Sequence, residues 1–308
     1  MAMRQLRRLD APTPNDPFRK AQRGVVRHVA LSEQAFRALE RERPELIVAD
    51  GDAVLIGQPY QGALSLQYAF PNRDAFARLF TPLFERLLPA IRQEEAPLGI
   101  RFRLTNRSDR PYLEPLLSRH AFELSREWMK MRLFELPDET ATLDEISPGF
   151  TLRDAVPNDA EAIVELDAAA LPLSALTPQV VRHELSSVPV LRMLAETATG
   201  RAVGFLRLRK DRPATGHVAD IAVHPERQRR GLGEAMTRWA LAWFRREGLR
   251  QASLTVSTDN APAIALYRKL GFTSDEMGFD YRRPIDEDEV RQVLEKRRGT
   301  FIRFKRRS

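Results

Sequence analysis

Short runs in which apolar and polar residues alternate are separated, along this chain, by longer runs in which apolar residues return every three to four positions. The first pattern predicts strands and the second helices. Arg4–Leu9 reads as a strand, and Asp10–Asp16 as a turn able to cap a helix. Ser32–Arg43 is helical with Ser32 as N-cap, and Leu46–Ala49 and Ala53–Ile56 flank an Asp50-Gly51 hairpin turn. Gly62–Phe70 is a third strand. Arg73–Gln93 carries Phe76, Phe80, Phe84 and Leu87 on one face, and Pro82 and Pro89 predict a kink or break. Ile100–Leu104 is a strand, Tyr112–His120 a short helix, and Phe122–Leu136 one or two strands closing the first half.

The order of events then repeats. Phe150–Arg153 is a strand, Pro157-Asn158-Asp159 caps a helix through Ala170, and Thr177–Ser187 is a second helix. Leu191–Thr197 and Ala202–Leu208 form a hairpin about Gly200. Strand, helix, strand and helix follow at His217–Val223, Leu232–Phe244, Ala252–Val256 and Ala261–Leu270. Three landmarks recur in order: Pro14-Asn15-Asp16 with Pro157-Asn158-Asp159, Ala53-Val54 with Ala202-Val203, and His120-Ala121-Phe122 with Leu270-Gly271-Phe272. Their spacing, about 145 to 150 residues, suits duplication of a whole domain. The expected organisation is one domain at 1–136, an acidic linker at 137–148, a second domain at 149–284 and a basic helix and tail at 285–308.

One stretch distinguishes the halves. Val223 is followed by His224-Pro225-Glu226-Arg227 and then Gln228-Arg229-Arg230-Gly231-Leu232-Gly233, which opens a helix. Strand, two-glycine turn, helix: that order exposes backbone N–H groups at a helix N-terminus, where partial positive charge favours phosphate. In the first half Phe70-Pro71 leads almost directly into the helix and has no such loop. One phosphate-binding site per chain is therefore expected, in the second half.

Composition narrows the partners. The 308 residues contain no cysteine, which removes disulfides, thiolate metal ligands and cysteine nucleophiles together. No run reaches the roughly 20 apolar residues of a membrane span, and the basic N-terminus has no apolar core behind it. A cytoplasmic location without membrane or metal is expected. The net charge of +7 suits an anionic cofactor, an acidic substrate or nucleic acid. The alternating basic stretch Phe301–Arg307 admits packing on a sheet edge or contact with RNA.

The turn fits neither the dinucleotide-binding Gly-x-Gly-x-x-Gly pattern nor a P-loop. Joined to Asn260, Leu266-Tyr267 and Gly271-Phe272, it resembles the GNAT acyl-CoA N-acyltransferase family over roughly 150–284. The resemblance implies a mixed α/β fold of two tandem GNAT-like domains, each a mostly antiparallel, splayed central sheet flanked by helices. The first would be a degenerate copy lacking the pyrophosphate loop. The resemblance implies acetyl-CoA as cosubstrate and a small-molecule or peptide amine as acceptor, in a monomer or weak dimer.

It also implies roles. The amides of Gln228, Arg229, Arg230, Gly231, Leu232 and Gly233 would hold the pyrophosphate, with Arg227, Arg229 and Arg230 adding charge. Ile221, Ala222 and Val223 would receive the pantetheine arm, with the Val223 N–H on the thioester oxygen. Asn260 would cap its helix and touch the coenzyme, and Tyr267 would protonate the departing thiolate. The ribosomal-protein acetyltransferases, whose Asn-to-Phe motif this one resembles, carry a glutamate base where Thr255 stands here. Strand alternation places His217 and Asp220 on opposite faces, so one of them faces the acceptor, and Asp220 is the candidate base. A non-catalytic acyl-CoA sensor or nucleic-acid-associated module is the alternative reading.

Overall fold

Two sets of strands, each containing one parallel join that opens partway along, organise the chain. The computed structural model describes residues 16–60, 63–91, 99–138, 148–171, 176–187, 190–212 and 214–285. The expected strand at Arg4–Leu9, most of the 137–148 linker and the 286–308 tail lie outside them. The chain divides into unit 1, Met1–Ser125 with Asp280–Ser308, and unit 2, Arg126–Phe279. Both are α/β, with mostly antiparallel sheets flanked by helices.

In unit 1, the Asp16 carboxylate accepts from the Phe18 N–H at 3.0 Å and starts α1 (Pro17–Arg23). After β1 (Val26–His28), α2 (Glu33–Glu42) begins at Ser32, whose hydroxyl accepts from Ala35 N–H at 3.2 Å. The predicted hairpin forms from β2 (Ile47–Asp50) and β3 (Ala53–Tyr60), with Gly51 at a left-handed φ of 54°. Then come β4 (Ala63–Phe70), α3 (Arg73–Leu87), β5 (Ile100–Leu104) and α4 (Arg110–Arg119). The helix α3 runs through Pro82 and stops before Pro89. An interior proline costs about 3 kcal/mol, whereas each buried Phe or Leu contributes about 1.5–3 kcal/mol. Phe76, Phe80, Leu83, Phe84 and Leu87 are all buried, so burial outweighs the lost hydrogen bond.

The next strand, β6 (Glu123–Leu133), departs from the expectation that it closes the first half. From Arg126 it belongs to unit 2, where it runs antiparallel to β11 (Gln251–Ser257) with Trp128 opposite Ser257 and Leu133 opposite Ala252. Its alternate residues Met129, Met131 and Leu133 enter the apolar core of unit 2, which fixes the register. Conversely, the end of the last strand, β12 (Thr273–Arg283), joins unit 1 from Asp280 onward. There Arg103 on β5 holds Asp280 with two hydrogen bonds, 2.6 and 2.8 Å.

Unit 2 proper contains β7 (Phe150–Asp154), α5 (Ala160–Ala170), α6 (Pro178–Ser187), β8 (Val190–Glu196), β9 (Ala202–Arg212), β10 (Thr215–Val223) and α7 (Leu232–Arg246). After β11 comes α8 (Ala261–Lys269). Its strand order is β6-β11-β10-β9-β8-β7, antiparallel except at β10–β11. Two apolar clusters cover the faces. Val218, Val223, Leu254 and Val256 pack with Met236, Ala240 and Phe244 of α7, whereas Phe205 and Ala222 pack with Ile163 of α5 and Val181 of α6.

The duplication is visible in backbone detail. After α4, Ala121 adopts φ 57° and Phe122 N–H bonds Leu117 O at 3.0 Å. After α8, Gly271 adopts φ 87° and Phe272 N–H bonds Tyr267 O at 3.0 Å. Both are the same left-handed helix stop, formed without glycine in the first half.

Candidate active site

Parallel pairing of β10 with β11 extends only from Thr215–Gln251 to Val218–Leu254, although β10 continues to Val223 and β11 to Ser257. At the point of opening the β9–β10 register shifts: Val218 lies opposite Leu208, Asp220 opposite Arg207, and Ala219 is the extra residue of a bulge. A bulge bends its strand and interrupts pairing. Beyond it, Asp220–Val223 stay bonded to β9 while their other edge lacks a strand partner among the described residues.

The groups on that edge follow from strand alternation. The His224 N–H donates to Val203 O on β9 at 2.8 Å, so the Val223 and Ile221 amides point the other way, into the opening. Gln228 turns back, its Nε2 donating to Val223 O at 3.0 Å, and so ties the loop to the strand end. Gln228 is thus a loop fastener through its side chain, a role the sequence did not suggest.

The loop then takes two left-handed steps, Arg229 at φ 61° and Gly231 at φ 77°. Gly231 is the N-cap of α7 and offers no side chain to its first N–H groups; the first helical bond is Ala235 N–H to Gly231 O at 2.9 Å. The amides of Leu232, Gly233 and Glu234 therefore remain as donors at the positive end of a 15-residue helix. A Cβ at Gly233 would come no nearer than 3.7 Å to Leu266, and one at Gly231 would meet nothing within 4 Å, so the cradle is open. Arg229 and Arg230 are exposed and form no ion pair among the described residues. Arg227 is committed elsewhere, its Nε donating to Glu196 at 2.7 Å. The cradle's geometry suits a pyrophosphate, with two free guanidinium groups beside it.

Asn260 caps α8, its Oδ1 accepting from Ala263 N–H at 3.2 Å. Lys269 at the other end of α8 reaches Glu234 in the first turn of α7 at 2.8 Å, which links the two helices. Tyr267, on α8, packs edge-on to Phe272 with ring centroids 5.9 Å apart. Its hydroxyl has no hydrogen-bond partner among the described residues. Burial, with the nearby Asp220 charge, pushes its pKa up to about 12, so the phenol keeps its proton at working pH.

The bulge overturns one expectation. His217 lies opposite Arg209 and Asp220 opposite Arg207, two residues apart on one strand, so His217 and Asp220 share a face. Arg207 engages Asp220 through Nε at 2.6 Å and also through Nη2, both on Oδ2. Thr255, opposite Lys130, lies on the β11 face shared with Ser253 and Ser257 and opposite to Leu254 and Val256. The sequence could not show the bulge, because Ala219 breaks no polarity pattern.

Comparison with known proteins agrees with this geometry. A family model described as the acetyltransferase (GNAT) family matches residues 162–272. The mycothiol acetyltransferase of Saccharomonospora viridis is 32% identical over 201 residues, covering 59% of this chain and 64% of that protein. That of Amycolatopsis mediterranei is 32% identical over 216 residues, covering 64% and 69%. The chain thus spans somewhat less than two thirds of the length of the first of these relatives. Among solved structures, a GCN5-related N-acetyltransferase from Sphaerobacter thermophilus superposes with a TM-score of 0.58 at 21% identity, over 76% of this chain and 78% of that one. A tandem GNAT protein from the clavulanic acid biosynthesis pathway gives 0.50 at 14% identity, over 78% and 82%. The chain belongs to the GNAT acetyltransferase family.

Proposed function

We propose that this protein transfers an acetyl group from acetyl-CoA to a small-molecule amine, with unit 2 as the catalytic unit. The observation that carries the reading is the pairing of an open strand edge with an uncapped, glycine-led helix terminus at its end. Acetyl-CoA has the matching shape: an amide-bearing arm able to add along Ile221, Ala222 and Val223, and a pyrophosphate for the Gln228–Gly233 loop. Asn260 flanks the loop as a coenzyme contact as well as a cap. The names of the relatives favour a small-molecule acceptor over a protein terminus, and Thr255 in place of an acid weighs the same way.

In the reaction the amine attacks the thioester carbon directly. The amides of Val223 and Ile221 face the side where the carbonyl oxygen gains charge, and oriented N–H donors there lower the barrier. The C–S bond then breaks, and Tyr267 donates its proton to the thiolate. A phenol raised to about 12 is a weak acid beside an ordinary thiol of pKa about 8.5, so its main contribution is a hydrogen bond to sulfur as charge develops, with transfer completing late. Asp220, whose charge acts on Tyr267, is the candidate proton acceptor.

Isothermal calorimetry with acetyl-CoA and with coenzyme A tests the cofactor, and a thiol-release assay across small amines, amino sugars, polyamines and peptides tests the transfer. No heat at millimolar ligand would sink the reading. Mass spectrometry of a metabolite extract incubated with enzyme and acetyl-CoA should show one species gaining a single acetyl group.

A further inference from the structure

Besides Gln228, a second group fastens the loop that opens α7, and it has no assigned task. The β8–β9 hairpin turns tightly after Glu196: Gly200, at a left-handed φ of 68°, bonds Glu196 O through its N–H at 2.8 Å, and Glu196 N–H bonds Arg201 O at 3.0 Å. The turn holds one oxygen of the Glu196 carboxylate. Thr199 Oγ1 donates to Oε2 at 2.9 Å and itself accepts from Arg201 N–H at 3.1 Å. On the other oxygen, Oε1, Arg227 Nε donates at 2.7 Å. The Glu196 and Arg227 side chains are only 18% and 23% exposed, so water and salt screen the pair less than they would a surface pair. The guanidinium and the hydroxyl hold the Glu196 carboxyl below its usual range, so it is ionised at neutral pH.

Arg227 stands just ahead of the loop's left-handed steps. It closes the short helical turn Pro225–Arg227, its N–H bonded to His224 O at 2.8 Å, and His224 N–H anchors that turn on Val203 O. Arg201, in the same hairpin, adds a contact to Glu226 at 3.6 Å. Gln228, tied to Val223 O, comes next, and then Arg229 at φ 61° and Gly231 at φ 77°. A residue with a side chain keeps a positive φ only where its surroundings hold it there. Here the holding groups immediately before it are Gln228 on the end of β10 and Arg227 on the β8–β9 hairpin.

We propose that Glu196 is a positioning residue for the phosphate-binding loop, acting through Arg227: the pair sets where the Gln228–Gly233 backbone stands, and Arg227 itself makes no contact with the phosphates. This rests on the acetyl-CoA reading above. It divides the loop's three arginines by task. Arg229 and Arg230 are exposed and keep their charge for a ligand, whereas the charge of Arg227 is matched by a carboxylate. The three lie side by side in the sequence, and nothing in residue type separates them. The proposal also reverses the sign that electrostatics alone would give. Removing a carboxylate near a phosphate site should tighten the binding of an anion on Coulomb grounds; removing one that places the loop should weaken it.

Calorimetry with coenzyme A reads that sign. Glu196→Gln should weaken binding about three- to tenfold; unchanged or tighter binding overturns the proposal. Arg227→Gln should weaken it by a similar factor and the double variant no further, since either change breaks the same link. Losses that multiply in the double variant overturn the proposal. Ionic strength separates placement from charge. The salt dependence of affinity should match that of the unaltered protein in Glu196→Gln and Arg227→Gln, and be flatter in Arg230→Gln. A flattened dependence in Arg227→Gln makes that residue a phosphate contact and overturns the proposal. With an acceptor from the thiol-release screen, KM for acetyl-CoA should rise in Glu196→Gln while kcat holds within about twofold. Should Glu196→Gln fail to fold, the affinity and salt dependence of Arg227→Gln decide. If the unaltered protein binds neither acetyl-CoA nor coenzyme A, the acetyl-transfer reading falls and this inference with it; if it binds and the variants bind equally well, only this inference falls.

Discussion

The two units contain the same opening in the sheet and treat it in opposite ways. In unit 2 the parallel β10–β11 ladder ends at Val218, and the edge of Asp220–Val223 has no strand partner among the described residues. In unit 1 the parallel β4–β5 ladder likewise ends early, at Leu66–Phe102. There the remaining edge of β4 is taken by the chain itself: β1 pairs antiparallel, Val26 with Phe70 and His28 with Tyr68. The Val25 N–H adds a bond to Phe70 O at 2.9 Å, and Ala30 N–H one to the Gln67 side chain at 2.6 Å. A Cβ on Gly24 would lie 2.7 Å from the Ala69 Cβ, which shows how closely this segment is laid down. Below it, Tyr68 stacks on Phe102 at 4.4 Å.

The helix that follows differs in the same sense. Asn72 caps α3, accepting from Ala75 N–H at 2.8 Å, where Gly231 leaves the start of α7 open. The two openings thus differ in whether their backbone groups find partners within the chain. Unit 1 supplies those partners from its own strand β1, and unit 2 leaves its edge without a strand partner among the described residues.

The comparison breaks first on stoichiometry. Titration of the intact chain with acetyl-CoA, followed by native mass spectrometry, should give one equivalent bound; a second would mean that β1 yields the unit 1 edge to ligand. Next in size is Tyr267→Phe, expected to lower kcat about 100-fold or more while calorimetric affinity for acetyl-CoA holds. Equal turnover would remove the phenol from the chemistry. Gly231→Val puts a β-branched residue at φ 77°, a strain of about 1–3 kcal/mol, and so should weaken acetyl-CoA about tenfold by calorimetry. Its counterpart Asn72→Ala should cost unit 1 about 1 kcal/mol in denaturant unfolding and leave cofactor affinity alone.

The smallest effect concerns a feature the units share. Asp16 pairs with Arg37 in unit 1 and Asp159 with Arg153 in unit 2, and each guanidinium lowers its carboxyl below the usual range. A depressed folded-state pKa gives stability that is present above the unfolded value near 3.9 and lost as pH falls through the folded one. Thermal unfolding of Asp16→Asn and Asp159→Asn against pH should therefore converge on the unaltered protein in acid. A gap that persists at low pH would assign their stabilisation to geometry rather than charge.

Much of this was legible in the residues. The elements, the repeated Pro-Asn-Asp and helix-stop landmarks, and the glycine turn with Asn260 and Tyr267 all rest on local chemistry: capping, alternation and left-handed turns act over a few positions. The fate of Pro82 was not local, because the burial that overrides it comes from residues on other strands. Nor was the exchange of β6 into unit 2, which depends on which sheet edge accepts Met131 and Leu133.

The sequence by itself therefore determined that the chain contains two related α/β halves and, in the second, a glycine turn that opens a helix, since glycine positions and periodicity dictate those directly. Tertiary structure alone decided what the cradle's neighbours do. One extra residue at Ala219 rotates His217 onto the face of Asp220, and three residues at Val26–His28 close the opening in unit 1. Both are questions of register and edge pairing, which depend on hydrogen bonds between distant segments and so leave no pattern in any one of them.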